Sequence, residues 1–453
     1  MRERPAVLST FTPDSAAAFS GPVWLRQRRS AAAEAFASSP LPSEKDEVWR
    51  YSRIDQLDLD RFRPSGTVPL RPSSDPGPSP SDRIHSLVSS LGARAGLVVT
   101  INGVLATVAS SVGDELMTLG RATEHADMEG LLGSVVSDPR DFQLLNDAFV
   151  IDPVLVDVQP GVVIDDPIVI VHVITGAGGY AVFPRTMIRA GAASAAGVIE
   201  IVVDVDTGLL ADLPSDGVRG PDWSREHLVV PVTELQVADD ATLDFVSVQS
   251  LGTETWQVAH QASTIGENAT LRSFAVALGG SYARLRTDSA LAGAGGTSML
   301  RAAYIGRDEQ MLDFRTLQDH LAPRTTSDLL FTGAVADRSH SVYSGLIRVR
   351  RGAVRSDAMQ TNHNLVLDEG AHADSVPNLD IEENDVKCSH ASTVGPVDED
   401  QRYYLESRGV EPERAEQLIV SGFFESIADQ VPLAGTRSLI GHALADRVGV
   451  RDV

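Results

Sequence analysis

Lys387, Cys388 and His390 lie close together in the stretch GAHADSVPNLDIEENDVKCSHASTVG, from Gly370 to Gly395. Cys388 is the only cysteine of the 453 residues, and Lys387 is one of just two lysines. In extended chain, alternate side chains share a face, so Cys388 and His390 point one way and Ser389 the other. A thiol beside an imidazole suits a soft metal or a nucleophile–base pair. The plainer alternative is a small buried cysteine next to a solvated histidine. Two-residue spacing disfavours the hydrolase version, because nucleophile and base normally come from separate elements with a third residue orienting the base.

Ligand supply limits the metal version. A single cysteine excludes a disulfide framework and any CxxC zinc or redox site. An iron–sulfur cluster takes about four protein ligands, mostly thiolates, so this chain supplies part of such a site and the rest comes from elsewhere. His340, His363 and His372 lie in the same region and could approach the pair; the plainer reading makes them exposed turn histidines. A second set, Asp313, Asp319, His320 and Asp328, has the residue types of a carboxylate groove in a polysaccharide-cleaving β-helix enzyme. Solvated turn acids on an acidic protein explain that set more simply.

Acidity itself narrows the partners. With 62 acidic and 38 basic residues the formal charge is −24, a surface that repels nucleic acid and anionic lipid. Neither lysine, Lys45 or Lys387, follows a glycine, so there is no phosphate-binding P-loop and no nucleotide site of that kind. No run of about 18 apolar residues reads as a membrane span. The opening MRERPAVLSTFTPDS lacks the apolar stretch of a secretory signal, and a cytoplasmic location is the expectation.

The elements that must carry these residues are read from periodicity and punctuation. Residues 1–63 read as an N-terminal helical region, with Trp24, Leu25, Ala32, Ala35 and Phe36 on one face of Gly21–Ser39. Residues 64–83 form a proline-rich linker. Residues 84–150 mix helix and strand, with a hairpin turn expected at Asn102-Gly103. Residues 151–397 are short apolar strands separated by Gly, Pro and Asp, with a polar surface loop at 212–227. Within them Ala241-Thr242-Leu243, Ala269-Thr270-Leu271 and Thr297-Ser298-Met299 recur at a constant interval, and Gly352-Ala353-Val354 and Gly370-Ala371-His372 recur at a shorter one. Recurrence of this kind predicts a solenoid of β coils, the alternative being a large β-sandwich. Residues 398–453 return to helix: Gly409 suits a helix C-cap, Pro412 a helix start, and apolar stripes follow at Ala415, Leu418, Ile419, Phe423, Ile427 and at Leu439, Ile440, Ala443, Leu444, Val448.

Asp385-Val386-Lys387-Cys388-Ser389-His390 and the following Ala391-Ser392-Thr393-Val394-Gly395 resemble the DVKCSH(G/A)(A/S)TVG signature of the SufD branch of the SufB/SufD family, which belongs to the SUF system of iron–sulfur cluster assembly. The flanks agree at Leu365–Asp368 (LVLD), Pro377–Ile381 (PNLDI) and Asp398–Gly409. Glu47–Ser52 (EVWRYS), Asn102-Gly103 and Leu145–Phe149 (LNDAF) extend the resemblance over nearly the whole chain. Ser52 departs from a usual threonine, and the linker and the 212–227 loop are longer than typical; neither touches a site residue.

That resemblance implies a mainly β fold: a right-handed parallel β-helix core flanked by N-terminal and C-terminal helical regions. It implies a non-catalytic scaffold subunit that pairs with SufB through the β-helix and binds the SufC ATPase. A nascent, transient iron–sulfur cluster would form at the SufB–SufD interface. By the same resemblance His390 is the favoured metal ligand and Cys388 the weaker candidate. The C-terminal helices, with Leu418, Ile419, Phe423 and Phe424, are the SufC-docking region. Reduced flavin is associated with complexes of this family, though no flavin fingerprint stands in this sequence. A SufB-type paralogue usually reads KVEHEA where this chain has Cys388, and a homodimer of the isolated chain is an alternative assembly.

Overall fold

A computed structural model describes residues 8–66, 80–125, 127–136, 138–176, 178–204 and 226–448. Most of the expected linker and most of the 212–227 loop lie outside the described residues.

Two stacked sheets run the length of the molecule, and successive strands alternate between them, making a parallel β-solenoid of about seven turns. The last first-sheet strands are Tyr282–Leu291, Met311–His320, His340–Val349 and His372–Ile381. Those of the second sheet are Thr297–Gly306, Thr326–Val335, Asp357–Val366 and Lys387–Gly395. Every neighbouring pair among them is parallel. Mainly β architecture with helical ends agrees with the sequence expectation.

The repeat was nearly legible. Thr242 pairs with Thr270 across one full coil, as the constant interval requires, but Thr270 pairs with Thr297 rather than Ser298. The second coil is thus slightly shorter than the first, and a constant period slips out of register. The step from Gly352 to Gly370 joins turns on opposite sides of one coil and is not a full turn.

Hydrophobic stacking inside the coils supplies the core. Val169, Val171, Ile199, Ile201, Val246, Val248, Phe274, Val276 and Ile305 pack on one outer face beneath the C-terminal helices Pro412–Ala428 and Ala434–Val448. The segments that precede the solenoid cover the first sheet instead, setting Trp49 and the helix residues Phe142 and Phe149 against Phe183, Trp256, Tyr282, Met311 and Val342. Burial of this kind is worth about 25 cal/mol per Å² of apolar surface, which makes the two helical regions integral to the solenoid.

The two ends of the solenoid differ. At the N-terminal end, the strand Gly96–Ile101 joins the second sheet and turns at Asn102-Gly103 into the antiparallel strand Val104–Ser110. Positive φ at both turn residues, 50° and 83°, is the hairpin geometry that Asn-Gly supplies. Met117–Arg121 closes the first sheet in the same antiparallel way on Val154–Val158. At the other end, His372–Ile381 and Lys387–Gly395 are the terminal strands of their sheets. The chain leaves through the short helix Glu399–Glu406, which buries none of its residues.

Candidate functional site

Cys388 and His390 sit on the terminal strand of the second sheet. In register beneath them on the preceding coil are Ala358 and Gln360. Ala358, Gln360, Asn362 and Asn364 are all buried, so this alternation marks the inward face, and Cys388 and His390 continue it onto the last coil. Among the described residues, no further coil covers them.

Their environments differ. Cys388 is half-buried against Ile347, Val349, Ala353 and Ala358. Burial, and then the nearby Asp357 carboxylate, push its thiol above the ordinary range, so little thiolate is present at neutral pH. His390 is exposed, and among the described residues nothing hydrogen-bonds to it. The imidazole is therefore the available donor, and the thiol is one that needs a metal to displace its proton. Two donors fall short of a cluster's about four ligands, so the pair fits half of such a site.

The inward row beneath the pair is polar. Tyr304 donates its hydroxyl to Asn364 Oδ1 (2.7 Å), Asn364 Nδ2 to Asn362 Oδ1 (2.8 Å), and Asn362 Nδ2 to the Phe331 carbonyl (3.1 Å). Among the described residues, neither amide atom of buried Gln360 has a hydrogen-bond partner. Gly345 faces it closely: a Cβ there would lie 2.6 Å from Gln360 Nε2 and closer still to the Tyr343 hydroxyl, so both side chains would have to shift to admit one. The alternation Gln360, Asn362, Asn364 was available in the sequence as a signal for this row.

Backbone groups matter as much as side chains here. The amide of Lys387 donates to the Ser356 carbonyl, so odd-numbered residues of that strand face its inner neighbour. The amides of Cys388, His390, Ser392 and Val394 consequently lie along the free edge. In His372–Ile381, the amide of His372 donates to the Ser339 carbonyl, which places Pro377 on the free edge, where it costs no ladder bond. The second-sheet edge has no such proline and carries a single charge, Lys387. Leu379, Ile381 and Val394 are exposed around this end.

The other expected residues are dispersed. Asp313 is fully buried, bound by Arg284, Arg315 and Tyr282. Asp319 pairs with Arg350 on the outer face of the first sheet, and Asp328 with Arg301 on the second. His320 points inward and is held by Thr325 and Ser327 (2.7 and 2.9 Å). These four form no catalytic group, since each faces a different environment. His363 lies in register with Thr332 and Thr393 on the outer side of the second sheet, away from His340 and His372 on the first.

His320 makes a pH prediction. Burial pushes its pKa down to about 4, with Asp319 pulling weakly the other way. The native ring is neutral, and the unfolded chain takes up a proton near 6.5, so stability is complete above that pH. It declines as the pH falls and levels off below about 4, a loss on the order of 3 kcal/mol. Denaturant midpoints at pH 7.5 and 4.5 should show a smaller difference in His320→Asn than in the parent; equal differences would remove this role.

On the C-terminal helix, Phe424 is 3% exposed and packs in the core with Val420 and Ile427, which takes it out of the docking set. Helical spacing does not tell a core stripe from an interface stripe, and contact with the second sheet decides it. Phe423 and Ile419 are half-buried; Leu418, at 40%, is the exposed one. No described helix is long and apolar enough to cross a membrane.

Comparison with known proteins points the same way. The family model described as "SUF system FeS cluster assembly, SufBD core domain" matches residues 172–423. An iron–sulfur cluster assembly SufBD family protein of Mycobacterium tuberculosis is 34% identical over 227 residues, 48% of this chain and 57% of that protein. SufD of Escherichia coli is 30% identical over 214 residues, 47% of this chain and 51% of that protein. The chain thus spans about half the length of these relatives. A SufBD family protein of Synechocystis is 23% identical over 431 residues, 93% of this chain and 91% of that protein. The matched core contains the polar inward row, the free strand edge and the Cys388–His390 pair, and this chain belongs to the SufB/SufD family of iron–sulfur cluster assembly proteins.

Proposed function

We propose that this chain is a non-catalytic scaffold subunit of the SufD type, which pairs with a SufB subunit through the open end of its solenoid. The observation that carries the reading is the asymmetry of the ends: one is closed by antiparallel strands, while the other presents a long, nearly uncharged parallel edge. Such an edge is a template for pairing with another chain. On it stand His390 and Cys388, half of a cluster site, so a partner seated there brings the missing ligands to the place where the nascent cluster is built.

A SufC ATPase docks on the C-terminal helices, where Leu418 is exposed beside half-buried Ile419 and Phe423. ATP-driven motion of SufC reaches the solenoid through the packing of those helices on the second sheet. The cluster is cargo, assembled and passed on.

Ser392→Pro tests the pairing. It removes an amide on the free edge and no intrachain ladder bond, so the chain should fold normally. Co-expression with SufB and SufC should recover at least about tenfold less SufB with this variant, a change of about 1.4 kcal/mol. Undiminished recovery of SufB would sink edge pairing. Concentration-dependent dimers of the parent chain alone, abolished by Ser392→Pro, would identify a second copy as the occupant instead.

A further inference from the structure

On the outer face of the first sheet, one strand ahead of the Cys388–His390 pair in the chain, lies a cluster that the cluster-assembly reading does not use. His340 and His372 open adjacent parallel strands and are direct register partners. Their rings are 5.1 Å apart, close to the spacing of the strands themselves. Asp374, further along the strand from His372 on the same face, reaches both: Oδ2 is 2.8 Å from His340 Nε2, and Oδ1 is 3.3 Å from His372 Nε2. Ligand atoms of all three lie within 4.8 Å of one another, the one such convergence of three groups among the described residues.

Neighbouring acids on the outer faces behave differently. Asp244 pairs with Arg272, Asp328 with Arg301, Asp319 with Arg350 and Asp380 with Arg348, each across one coil. These pairs form a ladder of coil-to-coil charge neutralisation. Asp374 breaks the pattern, with two imidazoles where the others have a guanidinium. Arginine cannot ligate a metal, and neutral imidazole is the commonest protein ligand for one. Access is open as well: His372 is 67% exposed at the side chain, whereas His340 and Asp374 are about three-quarters covered and therefore positioned. The register row below His340 is Met311, then Tyr282, both buried, so one side of the cluster rests on an apolar wall.

We propose that His340, His372 and Asp374 form a binding site for a divalent first-row transition-metal ion, independent of the Cys388–His390 half-site. Two imidazoles and a carboxylate are a borderline donor set that suits Fe²⁺, Co²⁺ or Zn²⁺ and leaves coordination positions open to water or to a partner's ligand. On binding, each Nε2 gives up the proton it donates to Asp374 and ligates the metal, the ligating ring carries its remaining proton on Nδ1, and the carboxylate exchanges its two imidazole contacts for the metal. The net charge of −24 raises the local concentration of cations around it.

The full chain, without a histidine tag and freed of metal by chelator, is titrated with Co²⁺ and followed by its visible absorption. One equivalent should bind. His372→Ala, at an exposed position where the fold is not at risk, should weaken binding at least tenfold, and His340→Gln should do the same. The double variant Cys388→Ser, His390→Ala should bind as the parent does. Binding that survives His372→Ala, or that disappears with the Cys388–His390 double variant, overturns the proposal.

Discussion

Asp313→Ala is expected to lower the unfolding free energy by about 3–5 kcal/mol, the cost of leaving buried charges without their partner. Asp313 is fully buried in the first sheet. Its Oδ2 accepts from Tyr282 and from Arg284 (both 2.7 Å), and its Oδ1 from Arg315 Nε (2.6 Å). Burial alone would raise its pKa, but Arg284 and Arg315 hold it below the ordinary carboxylate range. The stabilisation is therefore present at neutral pH and is lost only as the pH falls through that depressed value.

The same arginines fasten the N-terminal segment. Arg284 donates to the Val48 carbonyl and lies 3.9 Å from the Trp49 ring centroid, while Arg315 donates to the Arg50 carbonyl. Loss of Asp313 frees two guanidiniums at the joint that docks Glu47–Ser52 on the solenoid. Chemical denaturation of the parent and of Asp313→Ala checks the magnitude, and a change below about 1 kcal/mol would show that water or a neighbour compensates. Asp313→Asn, which keeps the shape and loses the charge, should fall between the two.

The second large effect separates function from stability. His390→Ala removes an exposed side chain that has no hydrogen-bond partner among the described residues, so stability should barely move, within about 0.5 kcal/mol. Cluster content should nevertheless fall at least about tenfold in the complex co-expressed with SufB and SufC, read by visible absorbance and by iron and sulfide analysis. Cys388→Ser should cost less, because its thiol is half-buried and held protonated. Normal cluster yield from His390→Ala would end its role as a ligand. Loss of SufB from the complex would reassign His390 to the pairing surface.

The placement of the Cys388–His390 pair was legible because it is local. Alternation along a strand puts Cys388 and His390 on one face whatever the rest of the chain does, and a cysteine count of one limits the thiolates this chain can offer to a single one. Short strands punctuated by Gly, Pro and Asp marked the solenoid, since each coil must turn sharply after a short run. Register within it was less legible, because successive coils differ slightly in length and all of them stack equally well.

What the sequence by itself determined is therefore the chemistry at hand: one thiol, one neighbouring imidazole, no P-loop and a strongly acidic surface. Only the tertiary structure decided which residues meet. It drew Asp313 into a buried ion pair and sent Asp328 to the opposite sheet, because inward and outward positions alternate and helical regions cover only some outward ones. It buried Phe424 while leaving Leu418 exposed, because a helix shows its sheet-facing stripe only once it is docked. It also brought His340 to His372 across a whole coil of chain, a meeting that depends on the length of that coil and is invisible to any local pattern.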